Sequence, residues 1–185
     1  LPVNLGIVGL SNLWSPTAKD HWMTTNVAVN SKGEEVVSPA EVTSTAAANS
    51  TSFFEGTVGF CFKSQIADTV PLYHAVVESS SDDVYTTDAS ELGADTPKKV
   101  TCYVYTAERP GTKALVRFYN KDSNDHLYLT SDDAAASALK VGYVKQGTQA
   151  FLYPSAEGMK ALDAAKDVVV TSVANQASLH ANLMA

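Results

Sequence analysis

The acid–base chemistry available to this chain is concentrated in one short pattern that it writes three times. Asp20-His21-Trp22-Met23-Thr24-Thr25, Asp82-Asp83-Val84-Tyr85-Thr86-Thr87 and Asp125-His126-Leu127-Tyr128-Leu129-Thr130 each run acid, polar, apolar, large, hydroxyl or apolar, Thr. A carboxylate beside an imidazole can hold or pass a proton near neutral pH. An aromatic two residues beyond a polar group can stack on the C–H face of a sugar while neighbouring Asp or His groups bind its hydroxyls. The residues carrying that second chemistry are Asp20, His21, Asp82, Asp83, Tyr85, Asp125, His126 and Tyr128.

Catalysis is the weaker of the two. Carboxylate pairs stand at Asp82-Asp83 and Asp132-Asp133, but glycoside hydrolysis needs two carboxyls held about 5–10 Å apart across a cleft, whereas adjacent acids in turns usually solvate a loop. The four histidines are His21, His74, His126 and His180. His21 and His126 occupy equivalent places in the pattern, so repetition explains them better than one shared active site. No G-x-S-x-G elbow, H-E-x-x-H or Gly-rich phosphate loop occurs. We therefore expect no enzyme, no cofactor and no metal.

Alternation along a strand sorts the hexad into two columns. Trp22, Val84 and Leu127 form an apolar column expected to face the core. His21, Asp83 and His126 fall on the opposite face with Met23, Tyr85 and Tyr128. Two readings of that face compete. In one it forms small exposed platforms, best kept in the third copy around His126 and Tyr128. In the other the leading Asp accepts backbone N–H bonds and the Tyr hydroxyl ties strands together.

These hexads sit within a larger repeat. A strand-like start precedes each, as in Pro71-Leu72-Tyr73-His74 and Ala114-Leu115-Val116-Arg117, and an aromatic-rich strand ends each: Gly59-Phe60-Cys61-Phe62, Cys102-Tyr103-Val104-Tyr105 and Ala150-Phe151-Leu152-Tyr153. A Gly turn precedes that last strand in copies one and three; in copy two the best counterpart of the third strand is Lys98-Lys99-Val100. Four strands per copy make about twelve, the number of a β-trefoil, with a β-sandwich as the competing all-β architecture. The expected layout is a trefoil domain over 1–154, with copies at about 5–66, 67–111 and 112–154. A partly helical extension follows over 155–185, packing on the barrel or mediating a homodimer. Val27 to Thr51 is a long polar insertion in copy one.

Composition narrows the partners. The chain has 185 residues, is 45% hydrophobic and carries a net charge of −7 with 13 Lys plus Arg. That length suits one domain and that apolar fraction argues against wholesale disorder. Without a basic cluster, nucleic acid and anionic membrane surfaces are disfavoured partners, and no stretch is apolar enough for membrane insertion. The chain opens Leu1-Pro2, which reads as a terminus left by signal-peptide removal, and Asn49-Ser50-Thr51 is a glycosylation sequon, so a secreted, extracellular glycoprotein is expected. In an oxidising compartment Cys61 and Cys102 could form a disulfide; as buried thiols they would pack equally well. Neither has a partner at zinc spacing.

Val70-Pro71-Leu72-Tyr73 with its hexad, Val116-Arg117-Phe118-Tyr119-Asn120 with its own, Val141-Gly142-Tyr143-Val144-Lys145-Gln146-Gly147 and Phe151-Leu152-Tyr153-Pro154 resemble a repeat family. That family, of unknown function, has the consensus LYRLYN…DHFYTT…GYVYEG…GYVYP and occurs in secreted fungal and bacterial proteins. The resemblance spans about Val8 to Pro154 and is strongest in copy three. It implies an extracellular, fungal, β-trefoil-like module of lectin type, binding a glycan or cell-surface glycoprotein. The Gln-x-Trp motif of ricin-type trefoils is missing. The alternative is a trefoil protease inhibitor or a host-defence, immunomodulatory protein that engages a protein through an exposed loop such as Val27 to Thr51.

Overall fold

A computed structural model describes residues 6–25, 27–29, 35–37 and 52–154. Asn49, most of the 27–51 insertion and the 155–185 extension, with its expected helix and dimer contact, lie outside the described residues.

The fold is all-β. Copy one contributes β1 (Ile7–Ser15), β2 (Asp20–Thr24) and β5 (Phe53–Phe62), with a hairpin of β3 (Val27–Val29) and β4 (Glu35–Val37) in the insertion. Copy two contributes β6 (Thr69–Val77), β7 (Asp82–Thr86) and β8 (Lys99–Tyr105), and copy three β9 (Lys113–Asn120), β10 (Asp125–Leu129) and β11 (Val144–Leu152). The repeated strands form one nine-stranded antiparallel sheet, ordered β10-β9-β11-β8-β5-β1-β2 with β6 pairing β7 and β8, while β3 and β4 form a sheet of their own.

In each copy the first strand turns back on the second through a four-residue loop. The residue before the leading Asp is left-handed every time: Lys19 (φ 55°), Ser81 (φ 58°) and Asn124 (φ 53°). Asn takes that conformation readily and Lys and Ser less so. The turn geometry is thus repeated even where its sequence is not.

Three strands per copy replace the expected four. The glycines read as turns, Gly56 (φ 121°) and Gly147 (φ 120°), instead sit inside continuous strands at points where the register slips. A positive φ that glycine adopts freely lets the strand bulge and carry on. Copy two keeps only the other slip, between Leu72 and Tyr73, which corresponds to Leu10/Ser11 in copy one and Thr148/Ala150 in copy three, and Lys99 opens β8 opposite His74. Lys99 thereby holds the place of Gly56 and Gly147, which pair with the equivalent residues Asn12 and Arg117.

The third strands converge. Phe62 pairs with Tyr103, Phe151 with Tyr105, and Phe60 bridges Tyr153. Inside them Leu10, Leu72 and Leu115, one from each copy, are fully buried with Met23, Tyr85 and Tyr128. Ile7, Phe60, Phe62, Tyr105 and Tyr153 form a second apolar cluster. A disulfide joins Cys61 on β5 to Cys102 on β8, and so copy one to copy two. In copy three a helix not foreseen from the sequence, α1 (Asp132–Lys140), begins where the Ser131 hydroxyl accepts from the Ala134 amide. Ser at the N-cap with Asp132 and Asp133 in the first turn is a legible start signal.

Candidate functional site

The leading aspartates of the hexads meet where β2, β7 and β10 begin, and each serves the next copy. The His21 amide donates to Asp125 Oδ1 (2.7 Å), the His126 amide to Asp82 Oδ1 (3.0 Å), and the Asp83 amide to Asp20 Oδ1 (3.5 Å). All three carboxyls are buried, and one oxygen of each lies within 4.8 Å of the others. Such a trio is the kind of group that could hold a hard cation. Here Asp125 and Asp82 are each engaged by an amide and an imidazole, and Asp20 by the Asp83 amide.

That balance differs by copy. His21 Nδ1 donates to Asp125 Oδ2 (2.6 Å) and Nε2 lies 3.0 Å from Glu55, so both ring nitrogens face carboxylates. Burial opposes charging of this ring, but Asp125 and Glu55 outweigh it and raise its pKa to about 9. Tyr143 also donates to Asp125, and burial with that carboxylate raises the phenol. His126 Nδ1 pairs in the same way with Asp82 Oδ2 (2.5 Å). In copy two Asp83 stands where the others have His, so Asp20 finds an acid in place of a donor. Burial, then the Asp83 carboxyl, push Asp20 up to about 11. The proton held on Asp20 takes the place of the imidazole there. Asp83 in turn engages His74 Nε2, and that ring stacks on Tyr85 at 4.5 Å.

The aromatic column forms no exposed platform. Met23, Tyr85 and Tyr128 belong to the central core, and Tyr128 is 2% exposed. Trp22, Val84 and Leu127 on the other face are buried as expected. Both faces of these strands are covered, so alternation does not mark a solvent side. The Tyr85 hydroxyl accepts from the Met23 amide (2.7 Å) and donates to its carbonyl (2.8 Å), while the Tyr128 hydroxyl accepts from the Tyr85 amide (2.7 Å). Met23 has no hydroxyl to continue the series; Asn12 Nδ2 reaches the Tyr128 carbonyl instead (2.8 Å). Tying strands together is what these tyrosines and aspartates do. The eight residues expected to bind ligand are thus brought together at the junctions between copies and directed inward.

A third series is formed by the closing threonines. Thr87 of copy two donates to the Gln149 carbonyl of copy three (3.3 Å), and Thr130 of copy three to the Val58 carbonyl of copy one (2.6 Å). The register makes Thr25 and Thr101 the equivalent pair between copies one and two. Among the described residues no bond joins them. Both line a cavity of about 340 Å³ together with Met23, Lys63, His74 and Lys99. Lys63 and Lys99 are exposed and make no ion pair among the described residues. Thirty-six positions separate these lysines, so no local pattern pairs them. The legible signal was Lys99 at a position where copies one and three have glycine.

Residues 96–166 match a family model described as a domain of unknown function (DUF5648), a stretch running from shortly before β8 to beyond β11. No curated protein and no solved structure matches the chain.

Proposed function

We propose that this chain is a secreted β-trefoil binding module of lectin type, with no catalytic activity, that takes a carbohydrate in the cavity between copies one and two. The trefoil reading is supported by three equivalent three-stranded units whose third strands pair with one another and whose hexads engage in cyclic order. The observation that carries the ligand reading is the unclosed Thr25–Thr101 junction. It leaves hydroxyl, imidazole and ammonium groups around a polar recess able to take sugar hydroxyls. The Asp and His groups that might otherwise exchange protons with a substrate are occupied by one another. A glycan array on the intact protein tests this, repeated with Lys99→Ala. Binding to a defined glycan that the variant loses at unchanged melting temperature is expected. No glycan bound, or binding indifferent to the substitution, overturns it.

A second reading, a protease-inhibiting or host-defence protein that grips a protein target, is favoured by one feature. The β3–β4 hairpin forms a sheet of its own, unpaired with the nine-stranded sheet. Deleting that hairpin separates the two, since glycan binding at the cavity should survive the deletion.

A further inference from the structure

We infer that the cavity between copies one and two selects a sugar bearing one anionic group, a carboxylate or a sulfate ester. This rests on the carbohydrate reading and narrows it to a ligand class. In a chain of net charge −7, the described residues lining this recess include Lys63, Lys99 and His74 and no acidic side chain. The contrast with a second recess of the molecule, bounded by Glu78, Glu91 and Asp95, is one of sign.

The two ammonium groups come from different copies. Lys63 directly follows β5, and Lys99 opens β8. Cys61 and Cys102, two and three residues away, are bonded to each other, which fixes the two strands beneath the lysines. His74 gives Nε2 to Asp83, and its Nδ1 has no partner among the described residues. Thr25 and Thr101 add hydroxyls that can donate to an anion's oxygens or accept from a sugar's hydroxyls. A single anionic group between two ammonium ions makes charge-assisted hydrogen bonds, which are shorter and stronger than neutral ones. A long polyanion gains little further, because the chain as a whole carries a net charge of −7.

The test is titration calorimetry of the full chain with four probes: a neutral oligosaccharide, its uronic-acid counterpart, its sulfated counterpart, and inorganic sulfate. The uronate or the sulfated sugar should bind at least about tenfold more tightly than the neutral one, as one charged hydrogen bond implies. The two arms tell carboxylate from sulfate. Lys63→Ala and Lys99→Ala should each remove most of that preference, and Lys63→Arg and Lys99→Arg should retain it. Both positions are exposed, so folding is not at stake. Equal binding of neutral and acidic sugars, weakened alike by the alanine variants, overturns this inference and leaves the carbohydrate reading standing. Inorganic sulfate binding as tightly as the sulfated sugar, or no probe binding, overturns both.

Discussion

Two kinds of junction hold the copies of this protein together, and they differ in how completely they are closed. At the junction of copy three with copy one, Asp125 takes two donors from His21 and one from Tyr143, and Thr130 clasps Val58. At the junction of copy one with copy two, Asp20 meets another acid, no threonine bond forms among the described residues, and a cavity opens between the strands. The first is saturated with complementary charge. The second lacks the imidazole and threonine bonds among the described residues, keeps those of Tyr85 to Met23, and is crossed by a disulfide. The difference teaches that near-symmetry is a background against which departures become visible: where the repeat fails to close, polar groups are left around a cavity.

Exchanging the same atom at both junctions should break the comparison most sharply. Asp125→Asn strips a buried imidazolium of its carboxylate and should cost about 3–5 kcal/mol in denaturant unfolding. Asp20→Asn places a neutral amide where the folded protein already keeps a neutral acid, so stability at pH 7 should be unchanged or raised. Comparable losses in both variants would mean that Asp20 is ionised.

The disulfide should come next. With a sequence separation of 41 between its cysteines, chain-entropy reasoning assigns it about 4 kcal/mol. A Cys61→Ala, Cys102→Ala variant should lose that much or somewhat less, and should also lose affinity for any ligand held between Lys63 and Lys99. A stable variant with weakened binding would assign the bond to the site; an unstable one with intact binding would assign it to the fold.

A smaller effect is expected from pH. His21 binds its proton more tightly folded than unfolded, with a pKa raised from 6.5 to about 9. Its contribution is therefore complete below pH 6.5 and is lost as pH rises through 9. Allowing for the partly exposed Glu55, that loss is roughly 2 kcal/mol. Chemical denaturation from pH 6 to pH 9.5 measures it, and His21→Gln should flatten this part of the curve. A wild-type curve already flat there would mean that the ring is neutral in the native protein.

The smallest effect distinguishes the threonines. Thr130→Val removes a part-buried hydrogen bond at the junction and should cost about 1 kcal/mol, whereas Thr25→Val should stay within about 0.5 kcal/mol. Equal losses would show Thr25 closing its junction in solution.

Much of the all-β fold could be read from the chain because the hexads repeat with their turns. The columns of Trp22, Val84 and Leu127 and of Met23, Tyr85 and Tyr128 were separated correctly. What alternation could not supply is that a strand covered on both sides buries both columns, and this misplaced the ligand platform. The strand count failed for a related reason: Gly56 and Gly147 look like turn residues, and only pairing partners distinguish a turn from a bulge. As for the cavity, its lysines come from different copies, and a contact between copies has no local spacing to betray it.

The bridge between Phe60 and Tyr153 also sets a schedule for the chain as it is made. Phe60 leaves the ribosome some 90 residues before the partner that completes its strand, an interval of roughly 5 to 20 s at ordinary translation rates. Until then the end of β5 is an open edge able to recruit a neighbouring nascent chain. Its pairing with β8 and the Cys61–Cys102 bond become available earlier, once copy two has emerged, and cover part of that edge. Free chains truncated after residue 112 should accordingly be protected from proteolysis across copies one and two when oxidised, and cleaved within β5 when reduced.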